Sequence, residues 1–269
     1  MFGSTVLEVV VGLTFCYATV ALIVSSLQEA IASLLRLRAN CLLSGIKSML
    51  NDPSFNSLAR ALYGHALINP HAAHARPSFI EPKHFAIALV EAIQTMPANV
   101  AQLGRDIDAL ADPQIRRALQ GIFQRANGDM DAFQHSLAGW FDSAMERVSA
   151  AYKRRAMMIS LLLSLVLAVL FNIDSIHLFQ SLWQHPALAA KIGVGAPGLD
   201  PRTLDALWRL PIGWQEFPPR LNSQFLLNVA GWLLTASTTL FGAPFWFNLM
   251  KHTVQVRGGG SGGARETAT

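Results

Sequence analysis

The sequence predicts an all-α integral membrane protein: three transmembrane helices, a helical cytosolic domain between spans 1 and 2, and a long helix running from that domain into span 2. Three observations carry this. The chain is 52% hydrophobic and only 14% charged, against about 25% charge for an average soluble domain. Three runs lack charge over lengths that can cross a hydrocarbon core of about 30 Å. Between them, apolar residues recur at steps of three and four, the period of helices with one buried stripe.

The first run lies between Glu8 and Gln28, and domain 1–28 is read as the first transmembrane helix. Thr5-Val-Leu-Glu8 fits a capping box, so a helix starts near Thr5. Glu8 is aligned with Gly12, Cys16 and Thr19, a stripe of small residues suited to close helix approach. Capping explains Glu8 more simply than a proton or ion role, because its position is interfacial. With no Lys or Arg ahead of the apolar run, the N-terminus is expected to stay as a span rather than be cleaved.

Domain 29–155 is read as the helical cytosolic domain. The first helix is expected to continue beyond the membrane, with Leu27, Ile31, Leu34, Leu35, Leu42, Ile46 and Met49 on one side and Arg36, Arg38 and Lys47 preventing further insertion, so that it packs on the long helix or else lies along the lipid headgroups. Asp52-Pro53 reads as a cap followed by proline at the first helical position, with Gly64 as the stop. Prolines at 70, 77 and 82 deny a helix there. Periodicity returns at Lys83, halts at Pro97 and returns after Asp112-Pro113, and Gly128 closes that helix.

The long helix begins with Asp129 as its cap. Phe133, Leu137, Trp140 or Phe141, Met145, Val148 and Tyr152 form its stripe. Trp140 and Phe141 are its largest apolar side chains, placed for Leu34, Leu35 and the helix at 83–96 to cover, or else exposed as a docking patch. Lys153-Arg154-Arg155 marks a membrane edge. The second transmembrane helix, 156–173, is 18 residues without charge.

Domain 174–224 reads as a short extracytoplasmic helical segment, with Asp174 and Asp200 as caps, a turn at 193–198, apolar Ile176, Phe179, Leu182 and Trp183, then Leu204, Leu207 and Trp208, set to rest on the outer membrane surface, and Trp214 as a headgroup anchor. The third transmembrane helix, 225–250, carries Gly231, Thr235, Thr238 or Thr239, and Gly242 as a small-residue stripe. Pro244 removes the bond to the Leu240 carbonyl, so a kink is expected there. Residues 251–269 read as a cytosolic flexible tail.

Orientation follows from counting. Residues 36–155 hold 14 Lys and Arg, whereas residues 174–224 hold four, which places the N-terminus outside and the C-terminus in the cytoplasm. The net charge of +4 sorts by topology and not into one aromatic-studded basic face, so nucleic acid is not an expected partner.

No motif names a reaction. His65, His71, His74 and His84 draw attention, but neither cysteines nor an HExxH pattern accompany them, and no GxSxG supports pairing one with Ser78 as a hydrolase. Cys16 and Cys41 lie too far apart along one helical run for a disulfide.

Five segments, LEVVVGLTF, QEAIASLLRLRANCL, RPSFIEPKHFA, MERVSAAYKRR and GAPFWFNLM, give the chain an order of features that resembles a family of uncharacterised bacterial inner-membrane proteins. That resemblance implies bacterial origin, an inner-membrane location and the topology above, and it transfers no functional residue. The expected function is a non-enzymatic membrane subunit that anchors, scaffolds or oligomerises a complex, contacting membrane lipid and a protein partner or further copies of itself. The alternative is an oligomeric pore or conduit. No catalytic residue, cofactor or metal is expected.

Overall fold

Helix is the only regular structure among the described residues, as the periodicity predicts. The computed structural model describes residues 2–69, 76–97, 99–184, 213–214 and 223–259, with backbone alone at 2–5, 223 and 253–259. Ten helices follow in order among these: α1 Phe2–Leu34, α2 Leu37–Met49, α3 Leu58–Tyr63, α4 Pro82–Ile93, α5 Val100–Asp108, α6 Pro113–Ala126, α7 Met130–Leu170, α8 Ser175–Gln184, α9 Ser223–Thr239 and α10 Gly242–Gly259. His71, His74, the Asp200 cap, the turn at 193–198, Leu204, Leu207, Trp208, the Thr5 side chain and residues 260–269 lie outside the described set. The chain divides into an inserted unit, Ile31–Arg155, and a split unit, Met1–Ala30 with Ala156–Thr269.

In the inserted unit, the first difference from expectation is at its start. The helix does not run on to Met49: α1 ends at Leu34, and Arg36 takes left-handed angles (φ 48°, ψ 40°) before α2 begins. The Asn40 amide donates to the Leu35 carbonyl at 3.1 Å, satisfying a group the break would orphan. The break re-aims the stripe. Leu42 and Ile46 are buried, while Leu34 (82% exposed) and Leu35 (55%) are not.

Asp52 does not open a helix at Pro53. Its buried carboxylate instead accepts three backbone N–H groups, from Asn56 (3.0 Å), Ser57 (2.9 Å) and Ala59 (3.2 Å), and so shapes the loop that leads into α3. Burial pushes this carboxyl up, but the backbone donors outweigh it and hold the group below the usual carboxylate range.

Helix α5, between the halt at Pro97 and the restart at Asp112, is not anticipated by the pattern. It is short and interrupted by Gly104, so its periodicity shows only in Leu103 and Ile107, both buried. Asn99 caps it by accepting from Gln102 N. Gly104 admits the α6 ring of Phe123, which would lie 3.1 Å from an added Cβ. Asp112 and Asp129 stand as read: Asp112 accepts from Gln114 N and Ile115 N, and Asp129 from Asp131 N and Ala132 N. The start expected near Thr5 does not, because α1 already runs from Phe2 and Thr5 lies inside it. One core unites Ile46, Leu62, Leu89, Leu103, Leu119 and Leu137. At its centre Phe85 stacks on Phe141 with centroids 4.2 Å apart.

The split unit is inverted in character. Large apolar side chains face outward, among them Leu22, Met158, Leu162, Leu170, Leu226 and Phe241. Small and polar ones face inward: Ser164, Ala168, Ser175, Thr235 and Ala236 are all 2% exposed or less. Helix α1, with 29 residues of high hydropathy at Val6–Leu34, is long and apolar enough to cross a membrane, and the described residues hold up to three spans if each bent helix pair counts as one.

The later runs are bent where single spans were expected. The uncharged part of α7 ends at Leu170 after 15 residues, about 22 Å at 1.5 Å per residue. Asn172 then adopts φ 47° and α8 leaves at 55°. The third run is α9 and α10, meeting at 90°. Its break is not at Pro244. It falls at Gly242, whose φ of +78° a side chain disfavours. Pro244 sits in the first turn of α10, where a missing N–H costs nothing. The helix also continues through 251–259, so the expected tail is shorter than read.

Candidate functional site

A cleft of about 730 Å³ opens in the inserted unit between the start of α2, the segment 78–82 and the stretch of α7 from Phe141 to Lys153. Its shape follows from close packing of two helices. An added Cβ on Gly45 of α2 would meet Val148 Cγ2 of α7 at 2.5 Å, so only glycine permits this approach. That contact brings the rest of α2 alongside α7. Cys41 Sγ lies 3.9 Å from the Val148 carbonyl oxygen, and the Arg38 guanidinium stands 5.9 Å from the Tyr152 ring centroid.

The floor is apolar, with Leu42, Ile80, Phe141 and Met145, and the rim carries charge. Arg38 and Lys153 are exposed, and among the described residues neither has an ion-pair partner. Asp142 and Glu146 line α7 further back. Phe79, 73% exposed, forms the outer wall.

The chemistry available there is limited. Cys41 and Ser78 line the cleft, and no histidine is among its described lining residues. His65 Nδ1 accepts from Leu67 N, while its Nε2 lies 2.6 Å from Glu91 Oε2, an exposed pair. His84 stands 3.5 Å from Glu81. Among the described residues no three His, Cys, Asp or Glu side chains could hold a metal.

The split unit holds a second polar feature, built at the break between α7 and α8. Asp174, buried, caps α8 by accepting from Ile176 N (2.8 Å) and His177 N (3.2 Å). Turned into its hydrogen-bonding orientation, the Asn228 amide donates to the same carboxylate at 3.3 Å. Thr235 lies 2.7 Å from Ser175 Oγ and 2.8 Å from the Ile173 carbonyl. Trp232 Nε1 donates to Asn172 Oδ1, and Asn172 donates to the Gly213 carbonyl. Every group named has a partner, so this is a knot that fixes two bent helices.

The residues singled out in the sequence divide between these places. Gly231 and Thr235 join the knot, with Thr239 continuing their face to donate to Ser164 at 2.6 Å. Gly242 and Pro244 belong to the α9–α10 break. Gly12 and Cys16 are buried on α1, Glu8 is half-buried, and Thr19 is exposed, bonding back to the Phe15 carbonyl. Phe141 is core at 1% exposed and Trp140 is half-buried against the same core. Leu34 and Leu35, expected to cover them, are exposed, and α4 does so through Phe85. Trp214 is half-buried, its Nε1 donating to the Val169 carbonyl. The cleft residues Arg38, Phe79, Tyr152 and Lys153 were not singled out as a group. The signal was faint: a lone phenylalanine in a proline-flanked loop, and cations read only as topology markers.

No family model, curated protein or solved structure matches the chain.

Proposed function

We propose that this chain is a non-enzymatic subunit of a bacterial inner membrane that anchors, scaffolds or oligomerises a complex through a helical cytosolic unit. In this reading the two bent helix pairs are broken spans, the N-terminus is outside and the C-terminus cytoplasmic. One observation carries it: the split unit presents Leu22, Met158, Leu162, Leu226 and similar side chains outward while burying Ser, Thr and Asp, the arrangement suited to a lipid solvent. The inserted unit supports the same reading, since it has its own aromatic and aliphatic core. Alkaline carbonate extraction followed by purification in mild detergent tests it. Membrane-retained protein in a defined oligomer or with a stoichiometric protein partner is the expected result, and release by carbonate as a lone monomer overturns it.

A conduit is the second reading, favoured by the broken helices and by the buried Asp174, Asn172 and Thr235 at their junction. Purified protein in liposomes that releases trapped ions would establish it over the scaffold.

A further inference from the structure

We propose that the cleft of the inserted unit is a binding site for the headgroup region of an anionic phospholipid, with Arg38 and Lys153 holding the phosphate and Phe79 lying against the apolar part of the molecule. The proposal rests on the membrane reading above.

The charge arrangement points to this occupant. Arg38 and Lys153 line one cleft, both exposed and without carboxylate partners among the described residues. Two unpaired cations facing one space repel each other, and a shared phosphate relieves that repulsion. The backbone positions of Glu146 and Asp142 lie about 10 and 16 Å back along the α7 axis from that of Lys153, at 1.5 Å per residue. The cleft is thus polarised: one anion fits at the Lys153 end, and a polyanion running its length does not.

The position in the chain narrows the source of the phosphate. Lys153 stands three residues before the uncharged run that begins at Ala156, on the same helix, and Arg38 stands four residues after α1 ends at Leu34. Basic side chains this close in sequence to apolar spans meet anionic headgroups at high local concentration. Phe79 supplies what a soluble phosphate would not use. A phenylalanine 73% exposed beside two cations is the pairing by which peripheral segments enter the headgroup and acyl boundary.

Cys41 lines the same cleft and reports on it. The full chain, in neutral-detergent micelles titrated with phosphatidylglycerol, is labelled with an uncharged maleimide, and peptide mapping reads Cys41 separately from buried Cys16. Labelling of Cys41 is expected to slow at least fivefold with phosphatidylglycerol and not with phosphatidylcholine. The R38Q/K153Q pair should raise the half-protecting lipid concentration about thirtyfold, since each cation near anionic lipid contributes about 1 kcal/mol. Phe79→Ser, which keeps both cations, should raise it severalfold. The R154Q/R155Q pair, outside the cleft lining, should shift it less than threefold. Equal shifts for the two pairs mean diffuse surface attraction and overturn the site. Protection by glycerol phosphate at the same concentration means a soluble ligand and also overturns it. No protection in a chain that resists carbonate extraction sinks the lipid site alone, whereas release by carbonate sinks the membrane reading with it.

Discussion

The Asp174 carboxylate fills the space that a side chain on Gly231 would need; a Cβ built there overlaps Oδ1. The cap of α8 and the face of α9 are therefore fitted to one another through a missing side chain. Gly231→Ala is expected to cost about 1 to 3 kcal/mol through overpacking, read as a lowered melting temperature in detergent. Adding Asp174→Ala to it should recover part of that loss, giving a favourable coupling in a double-mutant cycle. Simple additivity of the two losses would refute the contact.

Phe141→Ala should destabilise the inserted unit by about 3 to 5 kcal/mol, because the ring is 1% exposed and stacked on Phe85. Trp140→Ala should cost less, since that ring is half-buried. Limited proteolysis of the full chain reads the difference as faster cleavage within Ile31–Arg155 for the Phe141 variant.

Asp52 predicts a dependence on pH. Its folded pKa lies below the ordinary value, so its stabilisation is fully present above the unfolded pKa of about 4 and is lost as the pH falls through the lower folded value. Melting temperatures of the wild type should drop more steeply below that range than those of Asp52→Asn. Parallel curves would mean that the three backbone bonds do not favour the ionised carboxylate.

The α9–α10 break assigns unequal roles to two neighbours. Gly242→Ala places a side chain at φ +78°, at a cost of about 1 to 2 kcal/mol for a left-handed non-glycine residue. Pro244→Ala, in the first turn of α10, should be near neutral. The reverse order in thermal melts would move the break to the proline.

Tyr63 is 8% exposed and its hydroxyl has no hydrogen-bond partner among the described residues. Removing a buried donor that is unpaired is neutral or favourable, so Tyr63→Phe should keep or raise stability by up to about 1 kcal/mol. A clear loss by thermal melt would reveal a partner for the hydroxyl.

The caps at Asp112, Asp129 and Asp174 and the apolar period were legible, those expected at Thr5 and Asp52 were not, and neither was tertiary override. Asp112 and Asp129 were readable because a side-chain oxygen followed by proline or an apolar stripe has a local cause. The break at Arg36 was not, since arginine is a poor marker of left-handed backbone, and the reason for the break is the distant core that takes up Leu42 and Ile46. Helix α5 hid because Gly104 weakens a short period, yet Gly104 is there to admit Phe123. Of the cleft, the cations were visible and their convergence was not, because it depends on Gly45 letting α2 approach Val148 across about 100 residues of sequence. The knot at Asp174 was half visible: the cap was readable, but its fit against Gly231 joins positions that no local pattern connects.

Because the inserted unit interrupts the split one, synthesis imposes a wait. Helix α1 leaves the ribosome before its packing partners Ile173, Leu178, Leu182 and Trp246, which follow only after the 125 residues of Ile31–Arg155. At about 5 to 20 residues per second, α1 spends upwards of about 6 seconds without them. Val9, Cys16, Tyr17, Val20 and Val24, later covered, are meanwhile left uncovered by the chain. That wait gives weight to the character of α1: of the candidate spans it is the one long and apolar enough to cross a membrane as a single unbent helix.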